Sequence, residues 1–276
     1  MKLKFRINKY YLVSHTISSY NQFHLTPFTG WKKLEKKLWK KYKNEPAYYL
    51  LNPKHVNWAL EQIYSSIGTE GVDKAFIKIT QSFKKILKDI LKSPEFKRLL
   101  KETNNYLFFV KKQWRENRKI ALEIIEKLSG LKIPQRMKVT VFITHPKLRS
   151  GINVPEKNLV FWGHPEEWRN YSTIYICHEL MHILTYKKYS HANVMHALIE
   201  LMTDEELRIR LNNKGFYFKE GKKFIGHKSL LPLKKKILPF WKKYLKGKLA
   251  DNIYELEKLL IRKLKVKGPS FKRWPS

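Results

Sequence analysis

The stretch from Ser172 to Tyr186, S-T-I-Y-I-C-H-E-L-M-H-I-L-T-Y, constrains this chain more than any other. Ile174, Ile176, Leu180, Met181, Ile183 and Leu184 predict a buried helix, with Asn170 or Ser172 as its cap. Inside that apolar helix stand His178, Glu179 and His182, the polar positions of an H-E-x-x-H motif. Two histidines four residues apart lie on one helical face, one turn separated, so both imidazoles reach the same ion. Glu179 stands beside that ion without binding it, placed to take a proton from water. The competing structural interpretation is an ordinary buried helix with two hydrogen-bonded histidines.

A third ligand is available downstream. Asn193 to Leu211, N-V-M-H-A-L-I-E-L-M-T-D-E-E-L-R-I-R-L, reads as a second helix. Glu200 comes 18 residues after His182, and Asp204 four residues later. At about 100° per residue the two carboxylates stand about 40° apart, on one face. Glu205 and Glu206 are expected on a solvated acidic flank. A catalytic zinc takes three protein ligands and keeps one open position, and two histidines with a glutamate are a standard set. Asp204 is then free to accept the other ring N–H of a ligand histidine and fix its tautomer.

H-E-L-M-H followed by a helix carrying E-L-M-T-D resembles the gluzincin zinc metallopeptidases, the thermolysin-like branch of the zincins. The resemblance covers residues 138–211 and rests on five side chains. It implies zinc ligation by His178, His182 and Glu200, general-base action by Glu179, and an outer carboxylate at Asp204. It also implies that the strand nearest the cleft pairs with an extended substrate, which assigns Leu159, Val160, Phe161 and Trp162 to that role. Gluzincins supply a Tyr or His from beyond the second helix to steady the oxyanion. Tyr217 and His227 are the candidates by position, with His191 and His196 behind them; His196, one turn before Glu200, either lines the cleft or packs. A metzincin is excluded, because that pattern needs Gly and His where this chain has Thr185 and Lys188.

At 276 residues the chain is long enough to bury a substantial core, as one large domain or two small ones. Its 43% apolar and 14% aromatic content excludes a disordered protein. Cys177 is the only cysteine, so no disulfide forms within the chain, and it reads as a small core residue. The N-terminus has no uninterrupted apolar segment, and no run reaches the roughly 18 apolar residues of a membrane span, so a cytoplasmic location is expected.

The formal net charge is +34. Residues 1–155 carry 32 Lys and Arg against 11 Asp and Glu, and residues 207–276 carry 21 against 4. Residues 156–206, which hold the motif, carry 4 against 8. Such a field attracts nucleic acid, anionic lipid or an acidic protein. Lys outnumbers Arg by 46 to 11, which argues against bidentate reading of bases or phosphates and fits a compositional bias. Two function classes follow. One is a zinc-dependent endopeptidase acting on a peptide or protein. The other is a basic nucleic-acid-binding protein with a structural or vestigial zinc site. Glu179 favours the first, since a structural site has no use for it.

The expected fold is α+β and mainly helical: a helical N-terminal region over residues 1–103, then a zincin-like domain with a small sheet and a helical C-terminal extension over 104–276. Leu3 to Ile7 and Tyr10 to Ser19 are read as strands. Helices are expected over Trp31 to Lys43, from Asn52-Pro53 through Ile67, and over Val72 to Leu91. Ser93-Pro94 caps a short helix through Leu100, and Asn104 or Asn105 starts another that stops at Ser129-Gly130. Met137 to Thr144 and Asn158 to Trp162 predict strands, with a loop over Lys147 to Lys157 between them. His145 and His164, each followed by proline, are read as turn residues. Phe216 to Phe218 with Lys222 to Ile225 suggests a hairpin, Leu233 to Leu245 and Ala250 to Leu264 two helices, and Gly268 to Ser276 a loose basic tail.

Overall fold

The computed structural model describes residues 1–9, 12–13, 31–45 and 74–266. The helix expected from Asn52 and the basic tail lie outside them, as does most of Tyr10 to Ser19, of which Leu12 and Val13 are helical and fully buried.

The chain is α+β and mainly helical, with a small mixed sheet. Two apolar cores divide it. The first is built by α1 (Trp31–Tyr42) and α2 (Lys74–Lys92). Leu34, Leu38 and Tyr42 recur every fourth residue along α1, and Phe83, Ile86, Leu87 and Ile90 follow the helical period along α2, so each helix buries one stripe. Asp89 joins the two helices, accepting from Lys41 and from the Tyr42 hydroxyl.

The next helix, α3 (Pro94–Ser129), runs 36 residues without a break. Ser93 caps it, its Oγ accepting from the Phe96 N–H at 3.1 Å, and Pro94 takes the first helical position. The same hydroxyl donates to Ile90 O at 2.7 Å and ties the cap to the end of α2. Gly130 ends α3 in the left-handed region at φ 67, where a Cβ would lie 2.2 Å from Asp251 O. The helix start expected at Asn104 or Asn105 does not occur. Thr103 and Asn104 turn their side chains back onto Leu99 O and Leu100 O, so they do not compete for the backbone of a new cap. The cores change over between Leu100 and Tyr106, close to residue 103, yet the helix is continuous there. Replacing Ser93 with Ala removes both of its contacts and is expected to cost about 1 kcal/mol, read as a lower midpoint in urea unfolding.

The second core lies between the sheet and the later helices. The sheet has the order β1 (Lys2–Arg6), β2 (Lys138–Ile143), β4 (Leu159–Gly163), β3 (Ser150–Val154). The first three run parallel; β3 is antiparallel and lies on the edge. Val139, Val141 and Ile143 of β2 and Val160 and Trp162 of β4 alternate into the core. The segment read as a loop over Lys147 to Lys157 therefore contains a strand. Its S-G-I-N-V sequence has little apolar content, and pairing with β4, not side-chain pattern, makes it a strand.

On this sheet packs α4 (Tyr171–Thr185), which carries the motif. The second helix begins as α5 (Ala192–Glu200), widens into a π-helical turn over Leu201–Leu207 and closes as α6 (Arg208–Asn212). A small hairpin, β5 (Lys219–Glu220) with β6 (Lys223–Phe224), leads to α7 (Leu231–Tyr244) and α8 (Ile253–Leu264), near the positions expected for them. Among the described residues no helix is long and apolar enough to cross a membrane.

Candidate metal centre

Helix α4 is apolar nearly all round, so its motif residues enter the core with it. His178 is 3% exposed and Glu179 is 7% exposed. The Nε2 atoms of His178 and His182 face each other at 3.1 Å. On the far side of His178, Nδ1 lies 2.9 Å from Asp204 Oδ1, the contact expected for an orienting carboxylate. Thr203 donates to the same oxygen at 2.9 Å and holds it in place.

His196 of α5 completes the group. One ligand atom from each of His178, His182 and His196 lies within 4.8 Å of the others. The His196 ring stands edge-on to both, its centroid 4.6 Å from that of His182 and 5.3 Å from that of His178. Its Nε2 is buried without a hydrogen-bond partner among the described residues. Facing imidazole nitrogens, one of them without a hydrogen bond and 3.7 Å from Glu200 Oε1, form a donor set that suits a divalent transition metal.

Glu200, expected as the third ligand, belongs to a second group with His196 and His227. Its Oε1 accepts from the His227 N–H at 2.9 Å and lies 2.6 Å from His227 Nδ1. Its Oε2 is 2.7 Å from the ammonium of Lys234, which is fully buried. Lys234 also faces Glu205 Oε1 at 3.4 Å and donates to Ile225 O at 3.1 Å.

Glu205 corrects an expectation, since it is wholly buried and not on a solvated flank. In a regular helix it would stand about 140° from Glu200. The π-helical turn adds a residue to that turn and brings both carboxylates to Lys234. Arg208, also fully buried, pairs with Glu205 and Glu220 and donates to Asp204 O and Phe216 O. Glu206 is half-buried and paired with Arg210 and the Tyr217 hydroxyl.

Of the two oxyanion candidates, only His227 stands at the site; its ring is 4.8 Å from that of His196. Tyr217 is directed to Glu206 instead. His191 is buried away from the group, its N–H donating to Glu257. His145 caps the short turn before β3, as a turn residue should, and His164 stacks on Tyr171. Cys177 is fully buried, and burial pushes its thiol up, which makes it unreactive.

The strand assignment Leu159 to Trp162 is overturned. β4 is paired on one side by β2 and on the other by β3, so both edges of its backbone are used. The strand at the sheet edge beside α4 is β3. Its Asn153 donates through Nδ2 to Glu179 Oε2, and a Cβ on Gly151 would lie 3.5 Å from Glu179 Oε1. Asn153 was not legible because its segment read as loop. Tyr175 was missed as well; one turn before Glu179, its ring lies 5.8 Å from that of Trp162 and 6.0 Å from that of His178.

Burial works against charge on His178, but the Asp204 carboxylate prevails and raises it to about 9. Burial and the neighbouring His178 charge hold His182 well below its ordinary range and His196 at about 3. Burial raises the Glu179 carboxyl, against the pull of His178 and Asn153. Burial also opposes the Glu200 charge, yet His227 and Lys234 bring that carboxyl down to about 2. In the metal-free protein at pH 7, His178 therefore carries a proton that a metal ion must displace, whereas His182 and His196 do not. Metal binding is expected to release about one proton at pH 7. Affinity should rise about tenfold per pH unit up to about pH 9 and level off above it. Calorimetry in buffers of different ionisation enthalpy measures both.

No family model matches the chain, and neither does any curated protein or solved structure.

Proposed function

We propose that the chain is a zinc-dependent endopeptidase with a zincin-like catalytic layout. The observation that carries this reading is the buried Glu179 carboxylate, which adjoins the facing His178 and His182 imidazoles and is held by Asn153 of the edge strand. A purely structural metal site needs neither that carboxylate nor the strand beside it. The mixed sheet with one antiparallel edge strand next to the H-E-x-x-H helix supports the same reading.

Zinc held by His178, His182 and a third donor from α5 supplies a Lewis acid that polarises a carbonyl and makes nearby water more acidic. The protein does the rest. Glu179 takes the proton of the attacking water and hands it to the leaving amine, a role suited to a carboxyl raised by burial. Asn153 fixes the direction of that carboxylate. Asp204 fixes the tautomer of His178 so that Nε2 faces inward. His227 is the donor placed to steady the developing oxyanion. The outer edge of β3 offers its backbone to an extended substrate, with Ile152 exposed beside it. The charge of +34 favours acidic protein substrates, which long-range attraction would concentrate.

The test is cleavage of casein, an unstructured acidic protein. Zinc-loaded protein should cut it, lose activity to a chelator and regain it with added zinc. A protein that binds one zinc but cuts neither casein nor a mixed peptide library would sink the proposal.

A further inference from the structure

We infer that the metal is held by three histidines, His178, His182 and His196, while Glu200 serves as the orienting carboxylate of His227. This rests on the metal-centre reading above and departs from the glutamate ligand that the family resemblance implies.

The first ground is where the nitrogens point. His178, His182 and His196 bring ligand atoms within 4.8 Å of one another, and the buried Nε2 of His196 has no hydrogen-bond partner among the described residues. Glu200 Oε1 lies 3.7 Å from that nitrogen, too far to hydrogen-bond it; a buried imidazole nitrogen without a hydrogen bond is costly, and a metal ion in the group supplies its partner. His196 reaches the group because α5 crosses α4 at this level; Val194, Ala197 and Leu198, packed in the core, fix the helix and so the ring.

The second ground is that Glu200 is already hydrogen-bonded through Oε1 and ion-paired through Oε2. Oε1 takes the backbone N–H and Nδ1 of His227, and Oε2 faces the Lys234 ammonium at 2.7 Å. Gly226, at φ 72, closes over the carboxylate so tightly that a Cβ there would lie 2.2 Å from Oε2. Swinging Glu200 to the metal would give up its contacts with His227 and leave Lys234, with no exposure to water, only Glu205 at 3.4 Å as a charged partner beside the neutral Ile225 O at 3.1 Å. A buried ammonium stripped of its closer partner is a heavy cost. His196 meets the same need without breaking anything.

The engaged Glu200 then has its own task. A carboxylate on Nδ1 fixes the tilt of His227, whose side chain is 60% exposed, and favours the doubly protonated ring that can donate through Nε2. Glu200 is thus a positioning residue acting through His227, on the same helix and one turn beyond the ligand His196.

The experiment measures zinc affinity by competition with a chromogenic chelator, on wild type, His196→Asn and Glu200→Gln. Each variant is first checked for a native circular dichroism spectrum without metal. His196→Asn should weaken binding by more than about 100-fold, the most that outer residues usually cost, and Glu200→Gln should stay within about tenfold. X-ray absorption on the cobalt-substituted wild type should count three imidazoles, which decides the matter even if a variant fails to fold. Two imidazoles and a carboxylate, or zinc lost in Glu200→Gln and kept in His196→Asn, would overturn the inference and leave the metal centre standing. A wild type that binds no zinc would remove the centre itself, and the ligand assignment with it.

Discussion

Glu179→Gln is expected to leave the chain folded and metal-loaded and to lower peptide hydrolysis by at least about 10³-fold, within the range for loss of a general base. Gln has the shape of Glu and keeps an oxygen to accept from Asn153, so the local packing survives. It has no proton-accepting carboxylate, so water is no longer activated and the leaving amine is not protonated. The loss should fall on kcat, because the surfaces offered to substrate lie on β3 and are unchanged. The ring nitrogens of His178, His182 and His196 are also unchanged, so metal content should equal that of the wild type. Activity within tenfold of the wild type would take Glu179 out of the mechanism.

Lys234→Met should have the largest effect on stability, about 3–5 kcal/mol, the usual cost of breaking a buried ion pair. Lys234, Glu200 and Glu205 are all wholly shielded from water, and the ammonium stands between the two carboxylates. Removing it leaves Glu200 with His227 and Glu205 with Arg208, and brings two buried negative charges into direct repulsion. The variant should relieve this by taking up a proton. Burial already raises the Glu205 carboxyl, and without Lys234 it should rise further. A carboxyl raised in the folded state adds stability below its unfolded pKa and loses it as pH climbs through the folded value. The deficit should therefore be smaller at pH 5 than at pH 8, by urea unfolding at the two values. Equal deficits would show that the cluster does not titrate.

Much of this was legible because the relevant signals are local. The apolar frame around H-E-x-x-H predicts α4, and β-branched runs predict β2 and β4. Ser93-Pro94 and Ser129-Gly130 mark the two ends of α3. Asp204 stands against a motif histidine, His178, although the spacing did not say which of the two it would meet. The failures arise where a partner elsewhere in the fold, or the backbone itself, decides what a residue does, which the local side-chain pattern does not announce. Strand β3 exists because β4 offers it a partner. Asn104 reads as a cap but bonds back to the preceding turn. The π-helical turn alters the angular step after Glu200, so a 100° step sends Glu205 to the wrong side. His196 and Glu200 repeat the four-residue spacing of His178 and His182. Lys234, on a helix far along the chain, is what would separate the roles proposed for them.

The pairing of β1 with β2 bears on how the molecule is made. Lys2 lies opposite Lys138, in parallel register through Arg6 and Phe142. During synthesis β1 leaves the ribosome long before its partner, so the sheet cannot close until α3 and β2 have followed. Joining strands so far apart in sequence carries a large loop-closure entropy and marks a slow step. The motif helix packs on β3 and β4 with α3 behind it, all closer in sequence. A refolding chain should thus assemble the metal pocket in a fast phase and dock its first strand in a later one.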